Sequence, residues 1–356
     1  MKSLGRRVTR FGIGSKSGGW PGLDDQSRRP KRLARRTPPE IEELCIKLKK
    51  KHSSWGSKKL RDILSREHPG LRIPACSTLD DMFKRHGLTK PRRKRSKVPV
   101  YPSSLHVAEA PNEVLCVDFK GQFRLGNGSY CYPFTATDQH SRLILSCTAL
   151  DDTKGIGVRE AMEELFAEYG LPERIRSDNG SPFASRGIAG LSRLSVWWRL
   201  LGIVHERIEP GHPEQNGRHE RMHRTLKAET TRPAANNNLA QQERFDAFVE
   251  EFNEKRPHEA LDMKRPNEAY EPSPRKMPGS VAEPEYPMHD DVKQVSSCGH
   301  INMNGRKNSF FLGTALAGQY VGIREEEPNL WLVSFADLDL GHFDNTKRKF
   351  RPMDQQ

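Results

Sequence analysis

Three acidic residues stand where carboxylates could do phosphodiester chemistry. Asp118 lies in Val117-Asp118-Phe119 within an apolar run, and Asp178 follows a second short run in Arg176-Ser177-Asp178-Asn179-Gly180. Both are placed as open sheets place reactive groups, toward the ends of strands. Glu220 belongs to Gly217-Arg218-His219-Glu220-Arg221-Met222-His223-Arg224-Thr225-Leu226-Lys227, where Glu220, Arg224 and Lys227 share one helical face by i, i+4, i+7 spacing. An acid beside two cations suits a metal ligand flanked by phosphate contacts. Hard divalent cations want oxygen ligands, and two Mg²⁺ ions about 3.5–4 Å apart can neutralise the attacking and leaving oxygens of a phosphodiester together. The chain holds 46 acidic residues, so residue type alone singles out none of them; the surrounding strings do.

These residues need a framework. Residues 113–119, 129–137 and 142–150 are rich in Val, Ile, Tyr, Phe and Thr, with a turn at Gly126-Asn127-Gly128, and read as an antiparallel meander. A helix over 154–169, a strand over 174–177, a helix over 191–201, a strand over 203–208 and a long helix over 213–229 follow, with another amphipathic helix at 246–252. That βββαβαβα order predicts the α/β class: a mixed sheet flanked by helices over residues 111–265. Upstream, Thr37-Pro38-Pro39-Glu40 has capping-box spacing, and short helices at 57–66 and 77–86 complete a helix-turn-helix module over 37–90. Its third helix should enter the major groove and expose Thr78, Lys84 and Arg85. Downstream, 266–291 is Pro-rich and reads as a linker, and short alternating segments over 292–352 predict a small β-barrel.

Charge separates the two ends of the chain. Residues 1–100 hold 28 Lys+Arg against 9 Asp+Glu, while the other 256 hold 31 against 37, so the basic excess is wholly N-terminal and points to nucleic acid. Residues 1–36 read as a disordered basic tail, and 91–110 as a basic linker whose Arg92, Arg93, Lys94 and Arg95 can lie along phosphates. No stretch approaches about 18 consecutive apolar residues, and no apolar segment follows the basic N-terminus, so neither a membrane span nor a secretory signal is expected. Six scattered cysteines without a C-x-x-C pair fit buried thiols in a reducing cytoplasm.

The strings VDFKG, SDNGSPF and PGHPEQNGRHERMHRTLK resemble the integrase core of insertion-sequence transposases, the DDE group with the RNase H-like fold shared with retroviral integrases. The resemblance runs over about 37–350 and is densest from 111 to 272. It implies that Asp118, Asp178 and Glu220 are the metal-binding triad, and that Asn216, Gly217 and Lys227 contact DNA near the reacting phosphate. It further implies two Mg²⁺ ions, with Mn²⁺ able to substitute. The implied partners are double-stranded DNA at element ends and target, with a homo-oligomer assembled on that DNA, in the cytoplasm at the nucleoid. The implied activity is strand cleavage at element ends followed by attack of the freed 3′-OH on target DNA. The competing expectation is a non-catalytic DNA-binding relic or regulator. Glu214 precedes the Gly-x-x-Glu signature and is left out of the triad.

Two departures stand out. The 41 residues between Asp178 and Glu220 are more than in many relatives, an excess assigned to a loop at 187–193, and residues 22–30 look like an inter-module linker with no helical module before them. Other conspicuous residues take ordinary structural readings. Asp138 reads as a turn residue rather than a fourth ligand, and Asp151-Asp152 as a helix N-cap. Trp197-Trp198 reads as a core pair, and Trp55 as a packing anchor. His205, His212, His219 and His223 lack zinc-site spacing.

Overall fold

The computed structural model describes residues 37–89, 105–303 and 309–353. The expected tail at 1–36, the linker features at 22–30 and the cations Arg92, Arg93, Lys94 and Arg95 lie outside the described residues. Three helices come first: α1 Pro39–Lys51, α2 Ser57–Glu67 and α3 Cys76–Arg85. They close over Cys45, Trp55, Leu60, Leu64, Leu79, Met82 and Phe83, with the Trp55 ring stacked on His52 at 4.0 Å. The expected Thr37 capping box does not form. Pro38 is held extended (ψ 142°) by the proline after it, so α1 starts one residue later with Pro38 at its cap and no side-chain bond.

The central sheet comprises β1 Val114–Phe119, β2 Phe123–Arg124, β3 Tyr130–Asp138, β4 Ile144–Leu150, β5 Arg174–Ser177 and β6 Val204–Arg207. Its order is β2-β3-β1-β5-β6, with β4 also on β3. The meander pairs are antiparallel, whereas β5 is parallel to both β1 and β6, which makes the sheet mixed as expected. Alternation along β1 and β3 then sorts the side chains. Leu115, Val117, Phe134 and Ala136 pack under α4 Gly155–Tyr169 and α5 Arg193–Leu200, where Trp197 and Trp198 are buried. Cys116, Asp118, Thr135 and Thr137 therefore face the other side, which is covered by α6 Gly217–Thr230 and α7 Asn238–Glu250 through Met222, Leu226, Phe245 and Phe248. The last helix thus begins earlier than the expected 246–252, and a π-helical turn, Glu251–Lys255, follows it. Asp152 does not cap α4: its Oδ1 accepts from the Lys154 N–H at 2.7 Å in a turn before the helix, and Lys154 occupies the cap.

The segment expected to be a linker at 266–291 is instead a strap bound to the core. Arg275 donates to the carbonyls of Pro172, Leu201 and Gly202 at 2.8–3.0 Å, Ser273 is buried on Leu171 O, and Tyr270 Oη donates to Asn112 Oδ1. Proline-rich backbone offers few ladder donors, so side chains fasten it. Gly170, at φ +81°, permits the crossing: a Cβ there would lie 2.7 Å from Ser273 O. We expect Arg275→Ala to lose about 1–3 kcal/mol by leaving three carbonyls short of a donor, read as a lower denaturant midpoint at unchanged slope.

Beyond the strap lie β7 Asp291–Gln294, β8 His300–Asn302, β9 Ser309–Phe311, β10 Tyr320–Glu327, β11 Leu330–Phe335, β12 Leu338–Asp344 and β13 Lys349–Pro352. They form an antiparallel five-stranded sheet, β13-β12-β11-β10-β7, and the β8-β9 pair, a small barrel-like unit around Val321, Ile323, Val333, Phe335 and Phe343. Its core also takes Leu191 and Val196, with Ile188 and Ala189 packed against it. The 187–193 segment is accordingly a docking element with a 3₁₀ turn, Ile188–Gly190, rather than a free loop. All six cysteines are free, and Cys298 is exposed, contrary to the expectation of buried thiols throughout.

Candidate active site

Two acids meet at the carboxyl ends of adjacent parallel strands. Asp118 is the fifth residue of β1, and Asp178 follows the last residue of β5, whose register sets Cys116 beside Arg176. Local backbone orients both carboxylates: Phe119 N–H donates to Asp118 Oδ1 at 2.8 Å, and Gly180 N–H to Asp178 Oδ1 at 2.9 Å. Glu220 projects from the first turn of α6 on its exposed face, with Arg224 and Lys227 exposed beyond it. Burial pushes the Asp118 carboxyl up to about 7, and the charges of Asp178 and Glu220 add to the rise. Lys120 lies in the same field. Burial and Lys227 lower its ammonium, while Asp118 and Glu220 pull it back up.

Behind the acids, α6 is pinned to the sheet by a buried polar network. Thr135 Oγ1 lies 3.1 Å from Asp118 O, 2.8 Å from His219 Nε2 and 2.6 Å from His223 Nε2, and Thr137 Oγ1 lies 2.7 Å from His219 Nδ1. The carbonyl can only accept, so the Thr135 hydroxyl donates to it and accepts from both Nε2–H groups. Burial keeps both imidazoles far below their usual range, hence neutral. His219 then has both nitrogens occupied. His223 retains an Nδ1 lone pair 3.7 Å from Asp118 Oδ2, two acceptors facing one another.

Asp118, His219 and His223 have ligand atoms within 4.8 Å of one another. The engaged nitrogens of His219 argue against zinc held by that trio. The oxygen donors of Asp118, Asp178 and Glu220 fit Mg²⁺ or Mn²⁺, and the lone pair of His223 opposite Asp118 is an arrangement that a cation relieves.

The other expected residues distribute unevenly. Thr78, Lys84 and Arg85 are exposed on α3, and Arg85 reaches Glu42 at 3.5 Å. Asn216, expected to contact DNA, is instead buried at 5% exposure with Oδ1 unpartnered among the described residues, because it forms the bend that starts α6. Gly217 has open space where a Cβ would stand, so packing does not require glycine there. Glu214 is exposed and bonded to His212 Nδ1 at 2.7 Å. Asp138 is buried as a turn residue, accepting from Asn112 N–H and from Ser141 N–H and Oγ. Lys120 and Thr135 were not singled out by the sequence reading, which weighed His219 and His223 only as zinc ligands. The i, i+4 pair of histidines and the period-two threonines were the available signal.

The "Integrase core domain" family matches twice, over residues 108–213 and 201–266. The chain is 28% identical over 189 residues to an uncharacterized 31.7 kDa protein of insertion element IS407 from Burkholderia multivorans, covering 52% of this chain and 66% of that protein. It is 26% identical over 215 residues to an uncharacterized 39.2 kDa protein of IS476 from Xanthomonas euvesicatoria, covering 60% and 59%. The chain thus spans about two thirds or less of these relatives' length. Among solved structures, the HTLV-2 integrase catalytic core domain in complex with magnesium aligns at 15% identity and TM-score 0.38, over 46% of this chain and 100% of that one. Residues 108–266 thus match the integrase core domain, with the acids on neighbouring strand ends, and the chain is similar to these insertion-element proteins.

Proposed function

We propose that this protein is a DNA transposase that cuts a phosphodiester at element ends and joins the freed 3′-OH to target DNA. The observation that supports this reading is that the charges of Asp178, after β5, and Glu220, on α6, both act on the Asp118 carboxyl of β1. These three would hold a pair of divalent ions, Mg²⁺ with Mn²⁺ as substitute, which when bound neutralise the attacking and leaving oxygens. The chain's own cations do the rest. Lys227, Arg224 and Lys120 border the acids and hold the phosphates beside the reacting one. Thr135 and the two histidines fix the helix that carries Glu220. In this reading α3 meets the DNA groove with Thr78, Lys84 and Arg85, and copies of the chain assemble on double-stranded DNA.

The test is an end-labelled duplex carrying any inverted repeats found in the DNA flanking the gene, incubated with the full chain and Mg²⁺. Nicked and joined products support the proposal. Binding without cleavage makes the protein a DNA-binding regulator, and cleavage without joining makes it a nuclease. Because Lys227 offers a point charge, Lys227→Ala should weaken binding by a similar factor for every end sequence. It should also reduce the slope of log K against log[salt] by about 0.9. A loss confined to one base pair would show base readout instead.

A further inference from the structure

On the flank of α6 away from the acids, a cavity of about 420 Å³ opens between that helix, the β3–β4 turn, α2 and the segment after α7. Its wall carries Lys59, Arg142, Arg218, Arg221, Arg256 and His258. Arg142 Nη1 and Arg218 Nη1 donate to one carbonyl, Gln139 O, at 2.6 and 3.2 Å, which draws two guanidinium groups together. Lys59, Arg142, Arg218 and Arg221 have no ion-pair partner among the described residues. Arg256 Nη1 lies 3.6 Å from Glu229 Oε1, and Lys59 and Arg142 feel Glu259, Glu229 and Asp138 only at longer range. The two acids on the wall are committed elsewhere, Asp138 to Asn112 and Ser141, and Glu259 to Lys58 at 2.7 Å. His258 Nε2 and Arg256 Nε are buried there without a hydrogen-bond partner among the described residues.

From this we propose that the cavity is a binding site for a phosphoryl group. Several arginines approaching from different elements suit a tetrahedral anion with many acceptor positions better than a planar carboxylate, which one guanidinium satisfies. Burial, then Arg256, drives the Lys59 ammonium down to about 7 against the opposing pull of Glu259 and Glu229. An anion would restore that charge. The phosphoryl group could belong to a free phosphate or to a DNA strand, and the inference does not depend on the transposase reading.

The full chain is titrated with inorganic phosphate and pyrophosphate against chloride at matched ionic strength. In parallel, acetylation of Lys59 near neutral pH is followed by peptide mass spectrometry, with and without a short duplex. We expect either a saturable rise in Tm with phosphate or protection of Lys59 by DNA. The first assigns the site to free phosphate and the second to a strand. In both cases Arg142→Gln and Arg218→Gln should each weaken the effect about tenfold, and Arg142→Gln, on a surface turn, serves if the other fails to fold. The proposal is overturned if Tm shows no saturable rise with phosphate and Lys59 is equally reactive with and without the duplex, or if both variants retain whichever effect appears.

Discussion

Asp118→Asn, Asp178→Asn and Glu220→Gln should each cut strand cleavage and joining by roughly 10³-fold, about 4 kcal/mol of transition-state stabilisation, while DNA affinity stays near that of the native chain. Each swap keeps the shape and removes one charge that a divalent ion needs. The same triad should show its cost in stability. Burial, with the charges of Asp178 and Glu220 adding to it, raises the Asp118 carboxyl to about 7, so its charged form is unfavourable in the folded chain. Asp118→Asn should therefore raise Tm in chelator while it abolishes activity, as groups kept for function often do. Retained cleavage in any of the three variants would remove that residue from the triad.

Thr135→Val should be the most damaging change outside the acids. It keeps the volume but strips the acceptor from two buried imidazole N–H groups and the donor from Asp118 O. At about 1–3 kcal/mol for each buried group left unpaired, the two imidazole N–H groups alone should cost roughly 2–6 kcal/mol, seen as a lower denaturant midpoint. Cleavage should fall further than folding explains, because α6 then loses its register against β1. Thr135→Ser restores the hydroxyl and should recover both properties. A Thr135→Val protein as stable as the native chain would mean that the hydroxyl does not bridge the two histidines.

Much of the catalytic unit was legible in the sequence because its signals are local. Alternation marked β1, β3 and β4, and the strings around Asp118, Asp178 and Glu220 separated those acids from the other carboxylates. What escaped depends on distance along the chain. Thr135 and His223 are 88 positions apart, and nothing in either neighbourhood announces that a hydroxyl will sit between two imidazoles. Lys120 was visible inside VDFKG, but its field is set by Lys227 and Glu220 from another element. The strap failed for a different reason: composition marks 266–291 as irregular, which it is, yet irregular backbone can still be fastened, and Ser273 and Arg275 fasten it. Asn216 was assigned by motif alone, and a motif does not say which way a side chain turns at a helix start.

The docking of residues 187–193 ties the far end of the molecule to the chemistry. This segment lies on the stretch of chain that leads from Asp178 toward Glu220, and Leu191 and Val196 are shared with the C-terminal sheet. A truncation after residue 291 would uncover those side chains and also release one of the supports that hold the acid-to-acid connection in place. The C-terminal sheet is in this sense a buttress of the integrase-core region through an apolar footprint.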